Sequence, residues 1–248
     1  LFVLLNTELE SNFASHLKGT LNEDIRLQKR GEPYSLLAKW LPSENASSVT
    51  TRLNANKVMK LLGLNPKRYR QTLSKLRSGL NVVERPMCAN EWVEIDYEKV
   101  PSRAGKNYRN AFKKHDSTRY QKFLNDVKSG TKKINTVALY PYDLLKIARE
   151  TNDQTVEVMW RNLPNYLEKN PHNGLVVADV SGSMLSGMGS VTPIDISVSL
   201  AIYFAERIEG KFRNHFISFS GNPELIEIKG KSLHEKFQNM YKTSWMMN

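Results

Sequence analysis

Apolar residues recur at helical spacing through most of the first 170 positions, then change to short continuous runs after position 174. Leu1 to Arg30 carries a helical pattern with a break expected near Gly19-Thr20. Tyr34 to Leu41 predicts a short helix between Pro33 and Pro42, and a polar loop, Pro42 to Ser48, follows it. Asn54 is placed to cap a helix over Ala55 to Leu62, which Gly63 ends. Asn65-Pro66 sets a cap and a proline at the first helical position, so a helix is expected over Pro66 to Leu76. A connector with a short helix spans Asn81 to Trp92. Further helices are expected over Ser102 to His115, from Asp116 through Val127, over Tyr142 to Arg149, and over Thr155 to Leu167 with an interruption at Pro164. Ile134 to Leu139 fits a strand or a loop. This succession predicts a helical-repeat (HEAT-like) or irregular α domain over residues 1–170, although no residue period is clean.

The second part reads differently. Leu175 to Val180 is a β-rich run between Gly174 and Gly182, the pattern of a buried strand running into a loop. Pro193 to Ile208 is a helix with apolar positions Ile194, Val198, Ala201, Ile202, Ala205 and Ile208. His215 to Ser220 and Glu224 to Lys229 predict two more strands, and Ser232 can cap a helix over Leu233 to Tyr241. The order strand, helix, strand is that of an α/β domain, here over 171–248, joined to the first part at Asn170-Pro171-His172-Asn173-Gly174. Only 75 residues run from Gly174 to Asn248. An ordinary domain holds about 100–150, so a partial α/β domain is expected. The chain also opens in mid-pattern at Leu1-Phe2-Val3-Leu4-Leu5, too short a run to span a membrane and without the basic flank of a signal peptide.

Charge changes the picture most. The net charge is +11, but residues 171–248 hold seven Lys/Arg and seven Asp/Glu, so the whole excess lies in residues 1–170. Such asymmetry points to a polyanion partner, with nucleic acid foremost and an anionic membrane second. Lys67, Arg68, Arg70 and Lys75 on one predicted helix with Arg77 just beyond it, and Arg103, Lys106, Arg109, Lys113 and Lys114 on another, are the candidate RNA phosphate contacts. Tyr69, Tyr108 and Phe112 interleave with them, yet their spacing fits core packing better than base stacking. The one cysteine, Cys88, excludes an internal disulfide and suits a reducing, cytoplasmic setting.

The candidate chemistry lies at the end of the first strand, where ligands of open α/β sheets bind. Asp179, Ser181 and Ser183 offer one carboxylate and two hydroxyls, a hard-oxygen set suited to Mg²⁺ or Mn²⁺. The plainer reading of the same residues is an Asx or Ser turn capping a helix. This Asp-x-Ser-x-Ser after a strand resembles the opening motif of the von Willebrand factor A (vWA, Rossmann-like) fold and its metal-ion-dependent adhesion site. That resemblance implies Mg²⁺ held by Asp179, Ser181 and Ser183, completed by a later Thr and Asp, with one position left for an acidic residue of a protein partner. The later ligands are not identifiable here, and Thr243, just past a helix pattern, is a poor substitute.

A second likeness runs from Leu41 to Leu145. It is carried by Leu41-Pro42-Ser43, Lys75-Leu76-Arg77, Leu80-Asn81-Val82-Val83-Glu84, Trp92, Ile95-Asp96-Tyr97, Val100-Pro101-Ser102-Arg103-Ala104, Tyr108, Ala111-Phe112, His115-Asp116 and Leu139-Tyr140-Pro141. Together these resemble an uncharacterised family of plants and large viruses in which a helical region precedes a vWA domain. Trp245-Met246-Met247-Asn248 resembles the phrase that, in this family, precedes the metal-site Thr. The architecture is similar to that of the Ro/TROVE proteins, which implies RNA binding in a ribonucleoprotein, although shared architecture does not fix function. A protein-interaction scaffold is the alternative. Enzymatic chemistry is not expected. Ser181 and Ser183 have no base beside them, no phosphate-binding Gly-rich loop occurs, and the histidines lack metal-ligand spacing.

Overall fold

A computed structural model describes residues 8–80, 82–168, 173–186 and 191–241. The chain packs as two units, residues 1–88 and 89–248.

The first unit is helical. Helix α1 (Glu10–Arg30) runs unbroken through Gly19, whose missing side chain would meet nothing within 4 Å. Leu17 and Leu21, flanking that glycine, are buried, and Thr20 Oγ1 donates back to His16 O at 3.0 Å. Tertiary packing of this apolar stripe outweighs the roughly 1 kcal/mol helix penalty of a glycine. Helix α2 (Leu37–Trp40) is a single turn. Helix α3 (Val49–Leu62) starts six residues ahead of the sequence expectation, because Ser48 Oγ accepts from Thr51 N and so caps the helix in place of Asn54. Gly63, at φ +67°, closes it in the left-handed conformation. Helix α4 (Pro66–Gly79) is capped by Asn65, whose Oδ1 accepts from Arg68 N at 2.8 Å, as expected. Helix α5 (Glu84–Ala89) follows. Leu17, Leu21, Ala38, Leu41, Ala55, Val58, Tyr69, Leu73 and Leu76 form the shared interior.

The second unit joins helices to a sheet. Its helices are α6 (Ser102–His115), α7 (Ser117–Lys128), α8 (Pro141–Glu150) and α9 (Gln154–Arg161), the last ending well before Leu167. Strand β1 (Val176–Asp179) pairs parallel with β2 (His215–Phe219), which pairs antiparallel with β3 (Leu225–Glu227), giving the order β1-β2-β3. Helix α10 (Pro193–Ala205) crosses between the two parallel strands, and α11 (Leu233–Tyr241) follows the sheet. Gly230, at φ +145°, brings the chain so close to α11 that a Cβ would lie 2.6 Å from Lys236 N.

Leu144, Leu145, Met159, Trp160, Ala178, Ile202, Phe216 and Leu233 belong to one apolar cluster. Helices from before the 169–172 stretch and the sheet behind it therefore share an interior. The junction expected there falls partly outside the described residues. Strand β1 is less buried than its apolar run suggests. Ala178 and Val180 are buried, whereas Val177 is 60 % exposed. Val177, Ile217 and Leu225 are register partners on one face, and α10 lies against the other. A continuous apolar run reads as burial on both faces, while the described residues cover only one. No described helix is long and apolar enough to cross a membrane.

Candidate functional site

The carboxyl end of β1 brings the three candidate metal ligands together. Asp179 Oδ1 accepts from Ser181 N at 3.0 Å and from Ser181 Oγ at 2.7 Å. Ser181 Oγ and Ser183 Oγ lie 3.1 Å apart, and a 3₁₀ turn over Gly182–Leu185 holds the second serine. The bonds from the Ser181 hydroxyl and then its backbone N–H hold the Asp179 carboxyl below the usual carboxylate range. Asp179 Oδ2 accepts no hydrogen bond among the described residues. The donor set fits a hard cation that retains much of its water, since it offers one charge and neutral hydroxyls. Among the described residues, no group of three or more His, Cys, Asp or Glu is placed to hold a metal, so any such site rests on the serines. Thr243 and the Trp245–Asn248 phrase lie outside the described residues.

The ten candidate cations divide sharply. On α6, three are bound in ion pairs. Lys106 Nζ meets Asp143 Oδ1 at 2.7 Å, Arg109 Nε meets Asp153 Oδ2 at 2.9 Å, and Lys113 Nζ meets the other oxygen of Asp153. Asp143 and Asp153 lie far along the chain, where a count of local charge does not reveal them as partners. Burial pushes the Asp153 carboxyl up, but Lys113, Thr155 N and Arg109 more than offset this and bring it below the usual range. Arg103 and Lys114 are exposed and make no side-chain bond among the described residues.

The first unit keeps its charge. From Arg52 to Val83 the chain has eight Lys/Arg and no Asp/Glu. Lys67, Arg68 and Lys75 are exposed on α4 with no side-chain partner among the described residues. Arg70 pairs with Glu44. Arg77 is half-buried and donates only to neutral oxygens: Ala38 O from Nε at 2.8 Å, Ser43 Oγ from Nη1 at 2.8 Å, and Leu41 O from Nη2 at 2.6 Å. Burial pulls its pKa down. Arg77 thus fastens the end of α2 while adding charge to the α4 surface. Arg85, outside the set chosen from sequence, lines a cleft together with Arg70 and Arg77. Its neighbour Glu84 is taken by Lys39 at 3.2 Å, so the acid-free run is effectively longer than the sequence suggests. Of the interleaved rings, Tyr69 and Phe112 are buried and Tyr108 is half-buried, as their core spacing suggested.

Residues 4–173, more than half of the chain, match the family described as Domain of unknown function (DUF2828). The chain belongs to the DUF2828 family. Residues 173–248 match a second description, Domain of unknown function (DUF7788). Beyond these, the uncharacterized protein L728 of Acanthamoeba polyphaga mimivirus is 31% identical over 229 residues. That alignment covers 85% of this chain and 39% of the viral protein, so the chain spans about two fifths of its relative. The expected likeness to an uncharacterised family reaching into large viruses holds at this level. No solved structure matches. The DUF2828 match ends at Asn173, inside the second packing unit, so family boundary and packing boundary differ.

Proposed function

We propose that this DUF2828 chain binds RNA as a component of a cytoplasmic ribonucleoprotein, without catalytic activity, and that the α3–α4 surface supplies the phosphate contacts. The observation that carries this reading is the run of eight cations from Arg52 to Val83, of which only Arg70 is paired with a carboxylate among the described residues. Unpaired cations release counterions from a polyanion on binding, whereas those of α6 would first have to leave Asp143 and Asp153. The test is binding of the chain to single-stranded RNA across a salt series. Tight binding that weakens steeply with salt supports the reading, and binding indifferent to salt removes it.

A second reading makes residues 173–248 a vWA-type adhesion module in a protein-interaction scaffold. The free Asp179 Oδ2 beside two serine hydroxyls favours it. In this reading Asp179, Ser181 and Ser183 hold Mg²⁺ or Mn²⁺, and the ion supplies an open position for a partner's carboxylate. Mg²⁺ should then raise the melting temperature of the wild-type chain and leave Asp179→Ala unchanged. Equal shifts in both would remove the site.

A further inference from the structure

One cleft of the first unit has a chemistry that neither the family match nor the candidate set describes. It lies between the loop after α2 and helices α4 and α5, with a volume of about 330 Å³. Three guanidinium groups line it, from Arg70, Arg77 and Arg85, together with the hydroxyls of Ser43, Ser74 and Ser78. Glu44 is the one acidic residue on its wall and is already paired with Arg70.

Arg77 and Arg85 are the informative members. A guanidinium has five N–H donors, and Arg77 donates to three neutral oxygens, so among the described residues part of its donor capacity and all of its charge stay uncompensated. A half-buried cation without a counter-ion is costly, and an anion brought to it gains most of what water no longer provides. The Arg85 side chain is exposed and has no hydrogen-bond or ion-pair partner among the described residues. Ser74 Oγ is likewise unengaged one turn from Ser78 on α4.

We propose that this cleft binds a terminal phosphate monoester of an RNA strand, a proposal that rests on the RNA-binding reading above. Charge selects the monoester. Three arginines against Glu44 leave two positive charges on the wall, and a phosphate monoester carries about −1.5 to −2 near neutral pH, whereas a backbone diester carries a single charge. Guanidinium groups bind such oxygens through paired N–H donors, and serine hydroxyls complete the shell. RNA rather than a phosphopeptide is favoured because Lys67, Arg68 and Lys75 stand unpaired on the same helix, ready for the diesters that follow a terminal phosphate.

The test compares oligoribonucleotides of one sequence bearing a 5′ phosphate, a 3′ phosphate or neither, each titrated with the full chain. One phosphorylated form should bind about tenfold more tightly than the strand without a terminal phosphate, the worth of one charge-assisted hydrogen bond. Inorganic phosphate should compete for that increment alone. Arg85→Ala should remove most of the increment, and Ser74→Glu, which places a carboxylate in the cleft without disturbing the Arg77 contacts, should abolish it. Circular dichroism should show both variants folded. Equal, salt-steep affinity for all three strands would overturn the cleft proposal and leave the RNA reading intact. No RNA binding at low salt would overturn both, and so would binding of a phosphoserine peptide in place of every RNA.

Discussion

Trp160 Nε1 donates to Glu206 Oε2 at 2.9 Å, and Lys236 Nζ meets the other oxygen of that carboxylate at 2.7 Å. Three helices, α9, α10 and α11, thus converge on one acid. Arg207 adds its guanidinium 5.9 Å from the Trp160 ring centre and donates to Trp160 O at 3.1 Å. Trp160→Ala, at a side chain 1% exposed, should cost about 3–5 kcal/mol of stability. Glu206→Ala should cost about 1–3 kcal/mol by stranding two donors. Chemical denaturation followed by near-UV circular dichroism measures both, and wild-type midpoints would contradict the shared interior.

Acid should act through Asp153. Its carboxyl is held below the usual value, so the stability it contributes is present above the unfolded-state value of about 3.9 and is lost as pH falls through its lower folded value. Lys113→Met removes one of the interactions that lower it. The variant should be less stable than the wild type near neutrality, and the difference in denaturation midpoint should shrink as pH falls through that window.

Base should act through Tyr69. Burial pushes its phenol up to about 12, and its hydroxyl donates to Pro42 O at 2.8 Å. The neutral form is the folded one, so stability is retained below the unfolded value of about 10 and falls as pH rises toward the folded value. Tyrosinate absorbance should appear together with loss of helix in that window. Tyr69→Phe should lose about 1–3 kcal/mol at neutral pH by leaving the Pro42 carbonyl without its partner, and should blunt the alkaline transition.

The two basic helices should respond oppositely to substitution. Lys67→Ala with Arg68→Ala should leave the melting temperature within a degree or so and lower RNA affinity. It should also reduce the salt slope by about 1.4, close to 0.7 per contact for a single strand. Arg109→Ala should chiefly destabilise the second unit, because Asp153 loses a partner at 2.9 Å. A salt slope changed more by Arg109→Ala than by the α4 pair would reverse the assignment.

The sequence was a good guide where a local device sets the structure. Asn65-Pro66, the glycine at 63, and the Asp179-x-Ser-x-Ser loop all lie where the pattern places them, because each works through bonds within a few residues. It misled where distant packing decides. Gly19 reads as a break and is spanned because Leu17 and Leu21 are buried. Lys106, Arg109 and Lys113 read as a free basic face and are held by carboxylates about forty positions away.

The interior shared by Trp160, Leu144 and Phe216 has a bearing on how such genes can be rearranged. The two family matches meet at Asn173, yet α8 and α9 on one side and the sheet on the other complete each other's core. A recombination joint at that residue would give the strand a foreign helical neighbour with no surface complementary to α10 and α11. Inheritance of the second match should therefore carry the α8–α9 pair with it, and exchange between lineages is better tolerated nearer Cys88, where the packing itself divides.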